Sequence, residues 1–128
     1  MKKRPEILQS KIYKTRCPFG DVYLTVSFKE ERPIEIFITV GKSGQSLHAK
    51  MEAIGRLVSL ALRYNVPVEE VVAQLEGIQG DSAFFHNGDK ILSLPDFISY
   101  ILRKEIKNEE ENRKVDKKTE SGKPKKLE

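Results

Sequence analysis

A single cysteine, Cys17, stands in a chain of 128 residues. That scarcity excludes an internal disulfide framework and any metal site built on clustered thiolates. Histidine is almost as rare, and neither His48 nor His86 has a carboxylate or nucleophile arranged around it in the sequence, so no acid–base or nucleophilic constellation is legible. No stretch approaches the roughly 18 apolar residues that a membrane-spanning helix needs. The basic start MKKRPEILQS lacks the apolar segment of a signal peptide. These absences predict a cytoplasmic protein with no membrane association, no metal, no cofactor and no catalytic residues.

One further absence concerns the stretch VGKSGQS, residues 40–46. Glycine, lysine and serine between a strand pattern and a helix pattern suggest a phosphate-cradling loop. A Walker loop, however, requires a glycine five residues before its GK pair, and Ile36 stands there. What remains is a glycine-rich turn that delivers a helix N-terminus, where unpaired N–H groups and the helix dipole favour an anion. The candidate ligand residues for a phosphate or nucleotide are Lys42, Ser43, Gly44 and Ser46, with His48 on the first helical turn and Arg56 further along. The competing structural roles are equally plain: Gly41 and Gly44 make the turn, Ser43 or Ser46 caps the helix, and Arg56 pairs with Glu52 at i,i+4 spacing.

Charge is abundant. Charged residues make up 33% of the chain against 38% hydrophobic, mean hydropathy is −0.48, and the net charge is +4. The basic residues gather at the two ends, which divides the chain into a flexible basic N-terminus (1–10), a folded domain (11–104) and a charged tail (105–128) that is either disordered or a helical extension. A nucleic-acid partner is open through that basic tail.

Within the folded part, Asp21 to Phe28 alternates, with Val22, Leu24, Val26 and Phe28 on one side. Ile34, Ile36, Ile38 and Val40 repeat the pattern after a charged turn, so the two segments form an antiparallel hairpin. Lys11 to Arg16 supplies a third strand, ending at the turn Cys17-Pro18-Phe19-Gly20. The period then changes: Leu47, Met51, Ile54 and Val58 form one helical stripe, Ala53, Leu57, Leu60 and Tyr64 a second, and Glu52, Arg56, Ser59 and Arg63 the polar face. An apolar face this wide calls for cover on two sides, by the sheet and by a second helix or another subunit, which makes a homo-oligomer the expectation.

Asn65 ends this helix in a left-handed conformation. Pro67 to Glu76 forms a short second helix closed by Gly77, expected to pack on the first as a hairpin. Asn87-Gly88 marks a tight β-hairpin. Ser93, with Asp96 three residues later, reads as a capping box that opens a third helix expected to reach about residue 110, with disorder after it. The fold class is therefore α+β: a small antiparallel sheet of about three strands packed against a helical hairpin and a third, C-terminal helix.

The ordered series TRCPFGDVYLTV, PIEIFITVGKSGQS, EAIGRLVSLALRYNVPVEEVVAQLEGI and ILSLPDFISYIL resembles the TSCPD domain, the small C-terminal domain of adenosylcobalamin-dependent (class II) ribonucleotide reductases. The resemblance runs from about Tyr13 to Leu102. It implies an accessory domain rather than the reductase, whose radical and redox cysteines and cobalamin site lie on a large barrel domain that has no counterpart here. Family members often carry further cysteines near the positions of Ser46, Gly80 and Leu94, which speaks against a thiolate metal role in this chain. The implied function is a non-catalytic binding module that works with ribonucleotide reduction and takes a nucleotide or a reductase subunit as partner. The alternative is a stand-alone, phage-encoded anti-defence protein that sequesters a signalling nucleotide, its ligand held at an oligomer interface.

Overall fold

The structure is a computed structural model describing residues 3–41 and 44–122, with side chains through Val115. Three strands form an antiparallel sheet in the order β1 (Gln9–Cys17), β2 (Gly20–Lys29) and β3 (Arg32–Val40). Alternation does what the sequence predicts: Val22, Leu24, Val26, Ile36, Ile38 and Val40 are all buried on one face. The β2–β3 turn is tighter than its composition suggests. Only Glu30 and Glu31 lie between the strands, and both take left-handed φ values of 52° and 69°, the geometry that a two-residue hairpin demands of whatever residues occupy it.

Helix α1 (Gln45–Arg63) lies along the free edge of β3. Ser59, read from the sequence as part of a solvent-facing polar stripe, is buried there instead. Its hydroxyl donates to the Ile36 carbonyl at 3.1 Å and accepts from the Ile36 N–H at 3.0 Å. Gly55 lies beside the same strand, where an added Cβ would stand 3.8 Å from the Ile36 carbonyl oxygen. The helix thus covers a strand edge that would otherwise present unpaired backbone groups. Arg32, at the start of β3, donates to the carbonyls of Leu62 and Val66 and ties the C-terminal end of α1 to the sheet. Asn65 ends α1 with a left-handed φ of 69°, as predicted.

Helix α2 (Val68–Leu75) packs chiefly on α3 (Leu94–Gly122) and only lightly on α1, where the sequence predicts an α1–α2 hairpin. The reason is the connection. The left-handed Asn65 and extended Pro67 redirect the chain, and the narrow stripe of Val68, Val71 and Val72 joins the core that holds Phe97, Ile98, Ile101 and Leu102. Between these helices lies the hairpin β4 (Phe84–His86) and β5 (Asp89–Ile91), turned at Asn87-Gly88 with φ of 50° and 85°.

The capping box at Ser93 is half formed. Ser93 accepts the Asp96 N–H at 3.1 Å, but the Asp96 carboxylate, rather than reaching back to Ser93, receives the N–H groups of Leu92 and Gly77, both at 2.9 Å. The LSLPD string is thus a clasp between the end of α2 and the start of α3. Helix α3 continues to Gly122, past the predicted end near 110. Its charged extension is rich in good helix formers and carries an i,i+4 pair between Glu109 and Arg113 at 3.5 Å.

Candidate functional site

The β1–β2 turn and the first turn of α1 enclose an open groove of about 870 Å³, lined by Arg16, Phe19, Gly44, Ser46 and Lys50 among others. Gly44 occupies the N-cap position of α1, makes no side-chain cap bond, and no acidic residue follows in the first turn. The predicted capping by Ser46 is not found, because that residue already lies inside the helix. The other proposed cap, Ser43, and the candidate ligand Lys42 lie outside the described residues.

Of the remaining candidate residues, Gly44 and Ser46 line the groove, and two do not. His48 is exposed two residues beyond Ser46, which places it about 200° round the helix, on the far side. Arg56 lies ten residues along α1, about 15 Å from Ser46, and is held by Glu52 at 2.6 Å, the pairing that its spacing predicts. The groove gains instead Lys50, Arg16 and Phe19. Lys50 is legible in principle, one helical turn after Ser46; Arg16 and Phe19 are not, since only the β1–β2 turn brings them to the helix. Arg16 pairs with Asp21 at 2.8 Å while remaining largely exposed. Cys17 is buried at the rim, and its sulfur accepts the Phe19 N–H at 3.4 Å. Cys17 thus serves as a small buried side chain.

Two polar clusters lie elsewhere, under α3. Glu105, 3% exposed, accepts from Lys11 Nζ at 2.9 and 3.2 Å and from the Tyr13 hydroxyl. Burial, together with that carboxylate, pushes the Tyr13 phenol up from its ordinary value. His86 bonds through Nδ1 to the buried Thr15 hydroxyl at 2.8 Å and stands edge-on to Phe97 and Tyr100. Burial first and then Lys104 hold its pKa below the usual histidine value, while Asp89 opposes the shift. Among residues 84–86, Phe84 is core and Phe85 is exposed. Both polar clusters are closed by protein partners, and among the described residues no buried side-chain polar atom lacks one. No group of three or more His, Cys, Asp or Glu side chains among those residues is placed to hold a metal ion, and no helix among them is long and apolar enough to cross a membrane.

Fold and groove together define a small α+β domain, a three-stranded sheet with an edge-covering helix, a separate two-stranded hairpin, and an open cationic groove at the sheet-to-helix turn. The chain belongs to the TSCPD domain family, whose sequence model matches residues 1–106. It is similar to the vitamin B12-dependent ribonucleotide reductase of Rhodopirellula baltica, with 28% identity over 100 residues, 77% of this chain and 10% of the relative. It is also similar to the vitamin B12-dependent ribonucleotide reductases of Streptantibioticus cattleyicolor and Streptomyces avermitilis, at 26% identity over 64% of this chain and 14% and 9% of theirs. The chain therefore spans only about a tenth of the length of these curated relatives. No solved structure matches it.

Proposed function

We infer that the chain is a non-catalytic binding domain associated with ribonucleotide reduction, which takes a nucleotide or another small anionic ligand in the groove at the start of α1. The observation that carries this reading is the pairing of an uncapped helix start with Lys50 and Arg16 in one open groove. The N–H groups of the first turn favour negative charge, and the two cations supply charge-assisted bonds to phosphate. Phe19, at the rim, offers a face to a base. Family membership supports a nucleotide as the ligand and a reductase subunit as a further partner, since its relatives are named for ribonucleotide reduction. Among the described residues that line the groove, the one thiol, Cys17, is buried and bonded to the Phe19 N–H, which supports reading the site as one that holds a ligand.

Calorimetric titration of the full chain with ATP, dATP and inorganic triphosphate tests the reading. Saturable binding is expected, weakened roughly tenfold by Lys50→Ala and again by Arg16→Ala. A melting temperature unmoved by every probe, together with no retained nucleotide in native mass spectrometry, sinks it.

A second reading, a stand-alone protein that sequesters a signalling nucleotide within a homo-oligomer, draws support from one observation. The α1 stripe of Ala53, Leu57, Leu60 and Tyr64 is exposed, with Leu57 and Leu60 at 66% and 47%. A ligand retained only by a discrete oligomer, with no affinity for a reductase chain, favours this second reading over the first.

A further inference from the structure

The face of the sheet turned away from the core is uncovered by any helix. It carries Ile12, Lys14 and Arg16 from β1, Tyr23 and Thr25 from β2, and Phe37 and Thr39 from β3. Phe37 and Ile12 are 60% and 67% exposed and Tyr23 is 41% exposed. Their placement is regular. Ile12, Thr25 and Phe37 share one row across the three strands, and Lys14, Tyr23 and Thr39 share the next. Tyr23 and Phe37 are thus diagonal neighbours on adjacent strands, about 7–8 Å apart at the backbone, close to the step between successive bases of an extended single strand.

The charge around these rings favours an anionic occupant. Lys14 Nζ sits 5.9 Å from the Tyr23 ring centroid. Two carboxylates on the face are already engaged, Asp21 by Arg16 and Glu35 by Arg4 at 2.7 Å and Arg63 at 3.8 Å. Arg4, Lys14, Arg16 and Arg63 stand against Asp21 and Glu35 on and beside the face, and the Glu52–Arg56 pair near Phe37 adds no net charge, so these groups together carry two more positive charges than negative. Aromatic rings on adjacent strands with cations at their margin match the chemistry of a short polyanion carrying flat bases, in which rings stack and phosphates meet the cations. A second copy of this chain would stack apolar rings equally well but would bring the same positive surplus against itself.

We propose that the exposed sheet face, with Tyr23 and Phe37 as the stacking platform and Lys14 and Arg16 as phosphate contacts, binds single-stranded nucleic acid. This site adjoins the groove at the start of α1, with which it shares Arg16, and is distinct from the basic tail. The test is fluorescence anisotropy of the full chain with labelled oligo(dT) and oligo(rU) of about 12 nucleotides, a length in the range that single-strand-binding OB folds occupy, across a series of salt concentrations. Phe37→Ala and Tyr23→Ala are each expected to lower affinity by about tenfold or more, and Phe37→Trp is expected to retain it. Lys14→Ala should reduce the salt slope by about 0.7. These side chains lie outside the core, and unchanged circular dichroism checks that each variant folds. Affinity that survives the double variant Tyr23→Ala/Phe37→Ala within twofold overturns the proposal and assigns binding to the groove or the tail. Wild-type protein that binds neither oligonucleotide at low salt overturns it as well, as does sedimentation showing that this face is the contact between two copies.

Discussion

His86 shows how a single residue is committed by its surroundings. Its sequence position, before a tight Asn-Gly turn, shows no carboxylate or nucleophile arranged around it. In the fold its ring is fixed by the Thr15 hydroxyl and the edges of Phe97 and Tyr100, so it anchors the β4–β5 hairpin to β1. Because burial and Lys104 lower its pKa below the usual histidine value, the folded state prefers the neutral ring. The unfolded chain therefore binds more protons as pH falls through about 6.5, and the histidine's contribution, full above that value, is lost below it. Urea melts across an acid pH series should show wild-type stability falling below about pH 6.5, with a shallower fall in His86→Gln. Equal slopes would show that the imidazole does not titrate with folding. The same surroundings give His86 a structural role, a distinction that residue type alone does not make.

Among the elements, α1 departs most from its sequence pattern. Two apolar stripes and one polar stripe predict that the polar one faces water, yet Ser59 is buried against β3 while Leu57 and Leu60 are exposed. The cause is that α1 covers a strand edge as well as a sheet face, and an edge offers N–H and C=O groups that only a polar side chain satisfies. Ser59→Ala should leave the Ile36 N–H without its partner and lower unfolding stability by about 1–3 kcal/mol, whereas Ser59→Thr, which keeps the hydroxyl, should lose less. A denaturant midpoint unchanged in Ser59→Ala would mean that water replaces the hydroxyl and that the edge is open. Elements whose cues are local, the Asn87-Gly88 hairpin and the Asn65 end of α1, appear as their sequence predicts. Their geometry depends on φ preferences of the residues themselves.

At the scale of the molecule, α1 exposes an apolar stripe of Leu57, Leu60 and Tyr64, and an exposed apolar patch raises the question of association. If α1 mediates a homo-oligomer, sedimentation should report a discrete species for wild type and a monomer for Leu57→Lys/Leu60→Lys. A monomeric wild type over the same concentrations would dismiss the idea. The candidate site divides at this scale too. Gly44 and Ser46 were legible because they adjoin a strand-to-helix turn, and Lys50 follows on the same helical face. Arg16 and Phe19 reach the groove only through the β1–β2 hairpin, while His48 and Arg56 are carried away from it by the 3.6-residue turn of the helix.

The chain's own order of residues decided the α+β class, the strand faces, the turns and the family, because alternation, helical spacing and φ preference act over a few neighbours. It also decided that clustered-cysteine chemistry is excluded, since Cys17 is alone. Only the tertiary structure decided which polar residues are interior: Ser59 meets Ile36 across 23 positions, and Glu105 meets Lys11 across 94. Such pairings depend on which element lies against which edge, and local periodicity does not encode that. The tertiary structure likewise placed Tyr23 beside Phe37 on an open face, since the register between β2 and β3, rather than the identity of either aromatic, sets their separation.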